Sequence, residues 1–479
     1  MRSVRSSLAW MGGAQILTVG AQFASQVVLA RYLTVHDAGI YALALSVVAI
    51  LSLVQATGLK ALIIREEELS EEVLVTAFTV NALITIGLSL AIFIFGLFGG
   101  AFLKERGVGH VLQAMALTPM FAIFYFLPAA RMERERQFQR IALISIVSVV
   151  AGAAATIIFA IRGYSYMSVP YGQWVAAAMT LILTMIVGAR YVAFGLGLRS
   201  WRRISHFGLQ MLAIAGLNTA SSRLSEIVLA RLQGLETMGL YFRAASLNSM
   251  LWVNLHTLIG RVMLADFSSL HRQGISFRDR YLMGLELTTA LLWPVFCGGA
   301  ILSAPLLQLI FGAKWVPAAT ALSLLLTASM IQISVSMVWE IFAARNELHI
   351  LTRIEYIRAG ITFLLFVAAC FISMEMAAAV RVADALLAVF LYRVHLHRMT
   401  DTLPKDFFRI YQRSLILTGL ACFPALLLVV FAEHPAQQGV GAIIGVVAAG
   451  LALWLAGIYV LRHPLMAQMG RFMPKAVRS

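Results

Sequence analysis

The chain is 479 residues long, 61% hydrophobic and only 12% charged, with a formal net charge of +15. A water-soluble domain is about 45–50% apolar and about 25% charged, so this composition excludes a soluble enzyme and points to the bilayer as solvent. The surplus Arg and Lys are dispersed between apolar stretches rather than gathered in a basic domain, which argues against nucleic acid as a partner.

From the N-terminus, Arg2 and Arg5 precede an apolar run from 8 to 30. That run is too long for the apolar core of a signal peptide and about right for a retained membrane helix. Thirteen further apolar segments follow, at roughly 40–62, 73–98, 108–129, 141–161, 168–189, 207–230, 239–262, 281–302, 319–341, 354–374, 376–392, 414–432 and 439–461. The expected fold is therefore an all-α integral membrane protein of about 14 transmembrane helices. Cys297, Cys370 and Cys422 each lie within one of these segments, with no C-x-x-C pair or Cys/His cluster. No disulfide, metal site or cofactor is expected from them.

Orientation follows from the positive-inside rule. With the N-terminus in the cytoplasm, the termini and even-numbered loops hold 27 of the 37 Arg and Lys, the odd-numbered loops hold 6, and four lie within helices. Both termini are thus expected in the cytoplasm. The loops at 131–140 (RMERERQFQR), 190–206, 265–280 and 393–413 read as topology signals that also meet anionic head groups. The acidic patch of Glu66, Glu67, Glu68, Glu71 and Glu72 reads as a solvated loop on the same side.

One segment of the chain repeats. Residues 25–46 (SQVVLARYLTVHDAGIYALALS) match 225–246 (SEIVLARLQGLETMGLYFRAAS) at nine of 22 positions, at an offset of 200. The identities are Ser25/Ser225, Val28/Val228, Leu29/Leu229, Ala30/Ala230, Arg31/Arg231, Gly39/Gly239, Tyr41/Tyr241, Ala44/Ala244 and Ser46/Ser246. The copies begin six helices apart and so share an orientation, which makes a parallel repeat about an axis along the membrane normal. This predicts two six-helix lobes, 1–200 and 201–400, around a central cavity lined by helices 1, 2, 7 and 8. Residues 401–479 supply an appended pair, helices 13 and 14, and a cytoplasmic tail.

With these residues in view, the chain resembles the polysaccharide-transport branch of the multidrug/oligosaccharidyl-lipid/polysaccharide exporter superfamily, which includes the Wzx-type flippases. The resemblance rests on 29–44 (LARYLTVHDAGIYALA), 58–65 (GLKALIIR), 131–142 with its RQF core, 238–244 (MGLYFRA) and 303–322 (SAPLLQLIFGAKWVPAATAL). It covers the first two-thirds of the chain; the last third matches in hydropathy alone. It implies a protein of the bacterial inner membrane that moves undecaprenyl-diphosphate-linked oligosaccharide to the outer leaflet for O-antigen, capsule or exopolysaccharide. Membrane lipids, polysaccharide polymerase and export machinery are the partners implied. It implies no bond chemistry, and the sequence carries no phosphate-binding glycine loop or nucleophile elbow. Rival readings are a peptidoglycan-precursor flippase, a multidrug antiporter of the same superfamily and a non-transporting scaffold. An antiporter for cations calls for buried carboxylates, which helices 1 to 6 lack.

Ionisable residues at membrane depth are functional candidates by default. Arg223 and Arg243 lie on the expected cavity helices 7 and 8, where guanidinium groups suit a diphosphate. Lys60, Arg31 and Arg231 are weaker candidates of the same kind. Arg31, Arg231 and Arg243 sit near the outer ends of their helices, where long side chains reach the head groups. Gln22, Gln26, Asn218, Asn248 and Asn254 are candidates for sugar contact, or for hydrogen bonding between helices. Glu226 and Asp384 are candidate coupling groups. Arg223/Glu226 and Arg381/Asp384 are both i, i+3 pairs, so each pair is also able to neutralise itself on its own helix.

Overall fold

The computed structural model contains helices joined by short turns, and no strand, among its described residues, which are 2–55, 59–65, 70–102, 105–192, 195–198 and 201–466. The acidic residues Glu66, Glu67 and Glu68, the basic tail beyond 466 and the side chain of Asn218 lie outside them. The chain forms two compact units, Met1–Gly239 and Leu240–Ser479.

The first unit contains α1 (Arg2–Tyr32), α2 (Val35–Leu51), α3 (Leu59–Arg65), α4 (Glu71–Phe102), α5 (Arg106–Arg134), α6 (Phe138–Ile161), α7 (Ser168–Val187) and α8 (Trp201–Gln233). Local chemistry sets the joints. Thr34 opens α2 with a capping box: its hydroxyl accepts from Asp37 N at 3.0 Å, and Asp37 accepts from Thr34 N at 3.2 Å. The Glu105 carboxylate caps α5 by accepting from Gly107 N. α4 packs along α5, and α6 packs along both α1 and α7. Small residues permit that closeness, since a Cβ at Gly172 would lie 1.7 Å from Thr156 Oγ1. α8 packs along α2. The boundary at Gly239 therefore follows side-chain packing, whereas the boundary near 200 follows the sequence repeat.

The second unit begins within α9 (Leu235–Arg272). It continues through α10 (Arg278–Ile301), α11 (Ser303–Phe311), α12 (Ala319–Ile333), α13 (Val338–Ala344), α14 (Leu348–Cys370), α15 (Met374–Thr400), α16 (Pro404–Phe431) and α17 (Val440–Val460). One core of this unit gathers Phe267, Phe277, Tyr281, Phe342, Tyr392 and Phe407.

Each of the fourteen apolar segments coincides with helix, but two of them are broken. The segment at 40–62 divides between α2 and α3, with a 3₁₀ turn over Ser52–Gln55. The segment at 319–341 breaks between α12 and α13, where Met337 takes a left-handed conformation (φ 65°). Such a break frees backbone groups that hydrocarbon cannot solvate. The Tyr411 hydroxyl from α16 donates to the Ser334 carbonyl at 2.7 Å and meets that need.

Among the described residues, nine helices are long and apolar enough to cross a membrane. The other segments carry charges within their spans (α14, α15) or hold residues outside the side-chain description (α1, α8, α9). Phe98, Ile186, Phe390 and Phe431 are among many large apolar side chains that face outward. A surface of that kind is stable against lipid rather than water.

At the end of the first unit that carries the basic loops, Glu135 accepts a hydrogen bond from the Tyr191 hydroxyl and pairs with Arg190 at 3.1 Å. The Tyr191 hydroxyl, together with Arg190, Gln137 and Arg131, holds that carboxyl below the usual carboxylate range. Arg131 and Arg190 also stack against the Tyr191 ring.

Candidate functional site

A polar arrangement tying α2 to α8, with Gln173 of α7 beside it, lies in the first unit. Arg223 and Glu226 are one turn apart on α8, and Arg223 Nη1 meets Glu226 Oε2 at 2.8 Å. The same carboxylate oxygen lies 2.5 Å from the Ser46 hydroxyl of α2, which donates to it. The pair is therefore tied across helices as well as along its own. Nearby, Gln173 of α7 donates to the Tyr41 hydroxyl of α2 at 3.2 Å, and Tyr41 is within electrostatic reach of Arg223.

Accessibility separates the two charged partners. The Glu226 side chain is 11% exposed and that of Arg223 is 32% exposed, so the site presents its cationic member. The carboxylate sets the guanidinium's position from behind. A cation held in this way is able to receive a phosphate oxygen while its buried counter-charge limits the desolvation cost.

In the second unit, Arg243 differs from its expected place near the head groups. It is 4% exposed, and its guanidinium lies 4.8 Å from the Phe311 ring centre and 4.6 Å from that of Trp315. Both rings come from the segment 303–322, so one stretch of sequence builds the slot that holds this cation. Its Nε has no hydrogen-bond partner, and no carboxylate pairs with Arg243 among the described residues. The reason the side chain does not reach outward is the pair of ring faces, which attract a cation where water is excluded.

Asp384 on α15 is held by α14. Thr362 donates to its Oδ1 at 2.8 Å, and Arg358 Nε lies 3.4 Å from the same oxygen. Arg358 also meets Glu355 at 3.2 Å, and the Tyr392 hydroxyl donates to Glu355. One guanidinium thus serves two carboxylates. Arg381 stacks over Phe366 at 5.0 Å, and that ring meets Tyr241 edge-on.

The remaining candidates fall in varied places. Lys60 pairs with Glu133 at 2.5 Å. Arg31 and Arg231 are exposed at the ends of α1 and α8, and Gln22 is exposed and Gln26 half-buried on α1. Asn248 accepts from Ser329 of α12 at 2.9 Å, a bond between helices, and Asn254 donates to its own helix at Met250 O. Sequence reasoning passed over Ser46, Tyr41, Gln173, Phe311, Trp315, Arg358 and Thr362 as site residues. Ser46 and Tyr41 stood among the nine repeat identities, and Phe311 and Trp315 within 303–322; those were the available signals.

An all-helical chain with charged groups held between membrane-length helices has the architecture of a multi-span transporter. Its fold is similar to that of the lipid II flippase MurJ in an inward closed conformation (TM-score 0.70, 15% identity, 95% of this chain and 99% of that one). It is also similar to an inward-facing multidrug resistance MATE family transporter of the MOP superfamily (TM-score 0.62, 12% identity, 81% and 96%). Residues 28–320, more than half the chain, match the family described as polysaccharide biosynthesis protein, and the chain belongs to that family. Its relatives include the lipopolysaccharide biosynthesis protein WzxC of Escherichia coli strain K12, 24% identical over 391 residues, which are 80% of this chain and 78% of that protein. Another is the succinoglycan biosynthesis transport protein ExoT of Rhizobium meliloti strain 1021, 23% identical over 324 residues, 68% of this chain and 66% of that protein.

Proposed function

We propose that the protein is a flippase that carries undecaprenyl-diphosphate-linked oligosaccharide across the bacterial inner membrane for surface polysaccharide synthesis. The observation that carries this reading is the Arg223 site: a partly accessible guanidinium at membrane depth, backed by buried Glu226 and Ser46, in a chain of the polysaccharide biosynthesis family. A diphosphate is the part of such a substrate that hydrocarbon excludes most strongly, and a backed guanidinium offers it charge and directed hydrogen bonds. Arg243 is the second proposed cation for this group, with Lys60, Arg31 and Arg231 along the approach. Gln22, Gln26, Asn218, Asn248 and Asn254 are the proposed sugar contacts. The two sequence repeats, 1–200 and 201–400, act in alternating access with both termini cytoplasmic, as the Arg and Lys bias favours.

A peptidoglycan-precursor flippase is the second reading, favoured by the likeness to the MurJ fold, and its substrate shares the lipid diphosphate. Family membership supports the first reading over it. Asp384 and Glu226 are the proposed coupling groups, since both are carboxylates within the helical core whose partners are basic side chains. In a strain lacking its own oligosaccharide flippase, expression of this protein is expected to restore surface polysaccharide. Restoration that keeps its ion dependence in both Asp384→Asn and Glu226→Gln variants, at equal abundance, removes these two residues from the coupling role.

A further inference from the structure

A cavity of about 220 Å³ lies within the first unit, between α5, α6 and α7. The helical period explains its shape. α6 contributes Ile141, Ser145 and Val149, and α7 contributes Ala176, Thr180 and Thr184, each set spaced four residues apart on one face of its helix. Eight residues of helix rise by about 12 Å, so the cavity runs along the helices as a slot. Small side chains open it: Ala129 of α5 and Ser148 of α6 line it where a leucine or phenylalanine would fill the space. The lining is mostly apolar, and the Thr180 hydroxyl already donates to Ala176 O at 2.8 Å. Water finds few partners in such a place, whereas an apolar cavity of about 150 Å³ is large enough to take up benzene. Ser145 stands exposed at the edge of the slot, with outward-facing Leu143 and Val147 on either side, so the slot opens toward hydrocarbon.

One end of the slot is cationic. Met132 and Ile144, which line it, pack against Tyr191, just beyond the end of α7. The Arg190 guanidinium lies 4.5 Å from the centre of that ring and the Arg131 guanidinium 5.4 Å. The Tyr191 hydroxyl accepts from Gln137, whose side-chain oxygen accepts from Arg140 at 3.0 Å. Among the described residues, the hydrogen bonds around this ring join three guanidinium groups to one carboxylate, Glu135. Arg140 is exposed, and the Arg190 side chain is 61% exposed, so the excess positive charge is open to a ligand. Basic pockets of this kind, between helices at the level of the head groups, recognise anionic lipids.

We propose that the slot binds an anionic phospholipid of the leaflet beside the basic loops, with one acyl chain between α5, α6 and α7 and the phosphate on Arg190 and Arg140. The apolar slot and the cations are joined end to end, which is the shape of a lipid and not of a soluble anion. None of the residues assigned above to the transported lipid lines the slot. The chain supplies the dispersion contacts that the walls of an empty slot lack, and so joins the three helices as a resident component.

The test uses the purified full-length protein in vesicles that contain phosphatidylglycerol with a photoactivatable diazirine on one acyl chain. Cross-linked positions are mapped by mass spectrometry. Links are expected at Ala129 and Thr180, inside the slot. A phosphatidylcholine probe with the same chain should link there at least about tenfold less, and Arg140→Gln with Arg190→Gln should abolish that preference. Ser145→Phe, at the exposed edge, should lower the phosphatidylglycerol links at least about tenfold by occupying the slot. Links at outward-facing Phe390 and Phe431 should stay unchanged in every variant. If Ser145→Phe fails to fold, the comparison of the two lipids on the unaltered chain still decides. Equal linking by both lipids, or no links at Ala129 and Thr180, overturns the proposal. Displacement of the probe by an equimolar undecaprenyl-diphosphate-linked oligosaccharide also overturns it, by giving the slot to the transported lipid. No step of the test requires transport, so an error in the substrate assigned above leaves the expected links in place.

Discussion

Arg223→Gln is expected to abolish polysaccharide export while the protein remains inserted and abundant. The structure puts two demands on this residue. It neutralises buried Glu226 at 2.8 Å, and it presents a partly exposed guanidinium. Removing one partner of a buried charge pair costs about 3–5 kcal/mol, so some loss of stability accompanies the change. Measuring abundance and melting temperature beside export separates the two contributions. The companion variant Arg223→Gln with Glu226→Gln removes the orphaned carboxylate, and Ser46 then faces an amide it can still bond. On the anion-site account the double variant recovers stability and remains inactive. If the pair existed only to neutralise itself, the double variant would regain export, and the proposal for Arg223 would fail. Arg223→Lys should retain part of the activity, because it keeps the charge without the planar fork.

The second large effect is expected at Arg243. From the sequence alone this residue lay near the head groups. Its burial between Phe311 and Trp315 without a carboxylate changes that expectation. A desolvated cation–π contact is worth about 2 kcal/mol, while an unpaired buried charge costs several kcal/mol. The slot alone therefore does not account for a cation at this position. Arg243→Met preserves length and apolar contact and should leave stability unchanged or raised. Export should nevertheless fall at least about tenfold, equivalent to about 1.4 kcal/mol of lost interaction with the anion. Full export in Arg243→Met would reduce the residue to a packing element.

The membrane class, the helical segments and the repeat were legible because each depends on patterns that lie along the chain. Hydropathy marked the long helices but not the short α11, and the offset of 200 brought Tyr41 and Ser46 into view before their contacts were known. The breaks at Ser52 and Met337 were not legible, since an apolar run looks the same whether its backbone bonds are continuous or are completed by a side chain such as Tyr411. The Arg223/Glu226 pair was readable from its i, i+3 spacing. The third member, Ser46, was not, because 180 residues of chain separate it from Glu226. Asp384 shows the same limit: its spacing suggested Arg381, and the structure supplies Arg358 and Thr362 from α14. Arg243 was misplaced because the depth of a side chain depends on its neighbours, and the rings of Phe311 and Trp315 lie far along the chain.

Reconstitution of the purified protein into lipid vesicles, with movement between leaflets measured for an undecaprenyl-diphosphate-linked oligosaccharide, tests the transport claim most directly. The same vesicles are assayed with a lipid-linked peptidoglycan precursor and with a cationic drug. The account predicts that the oligosaccharide lipid crosses fastest, that Arg223→Gln stops it, and that the drug does not cross. Transport of the drug, with no movement of either diphosphate lipid by a folded and fully inserted protein, would contradict it.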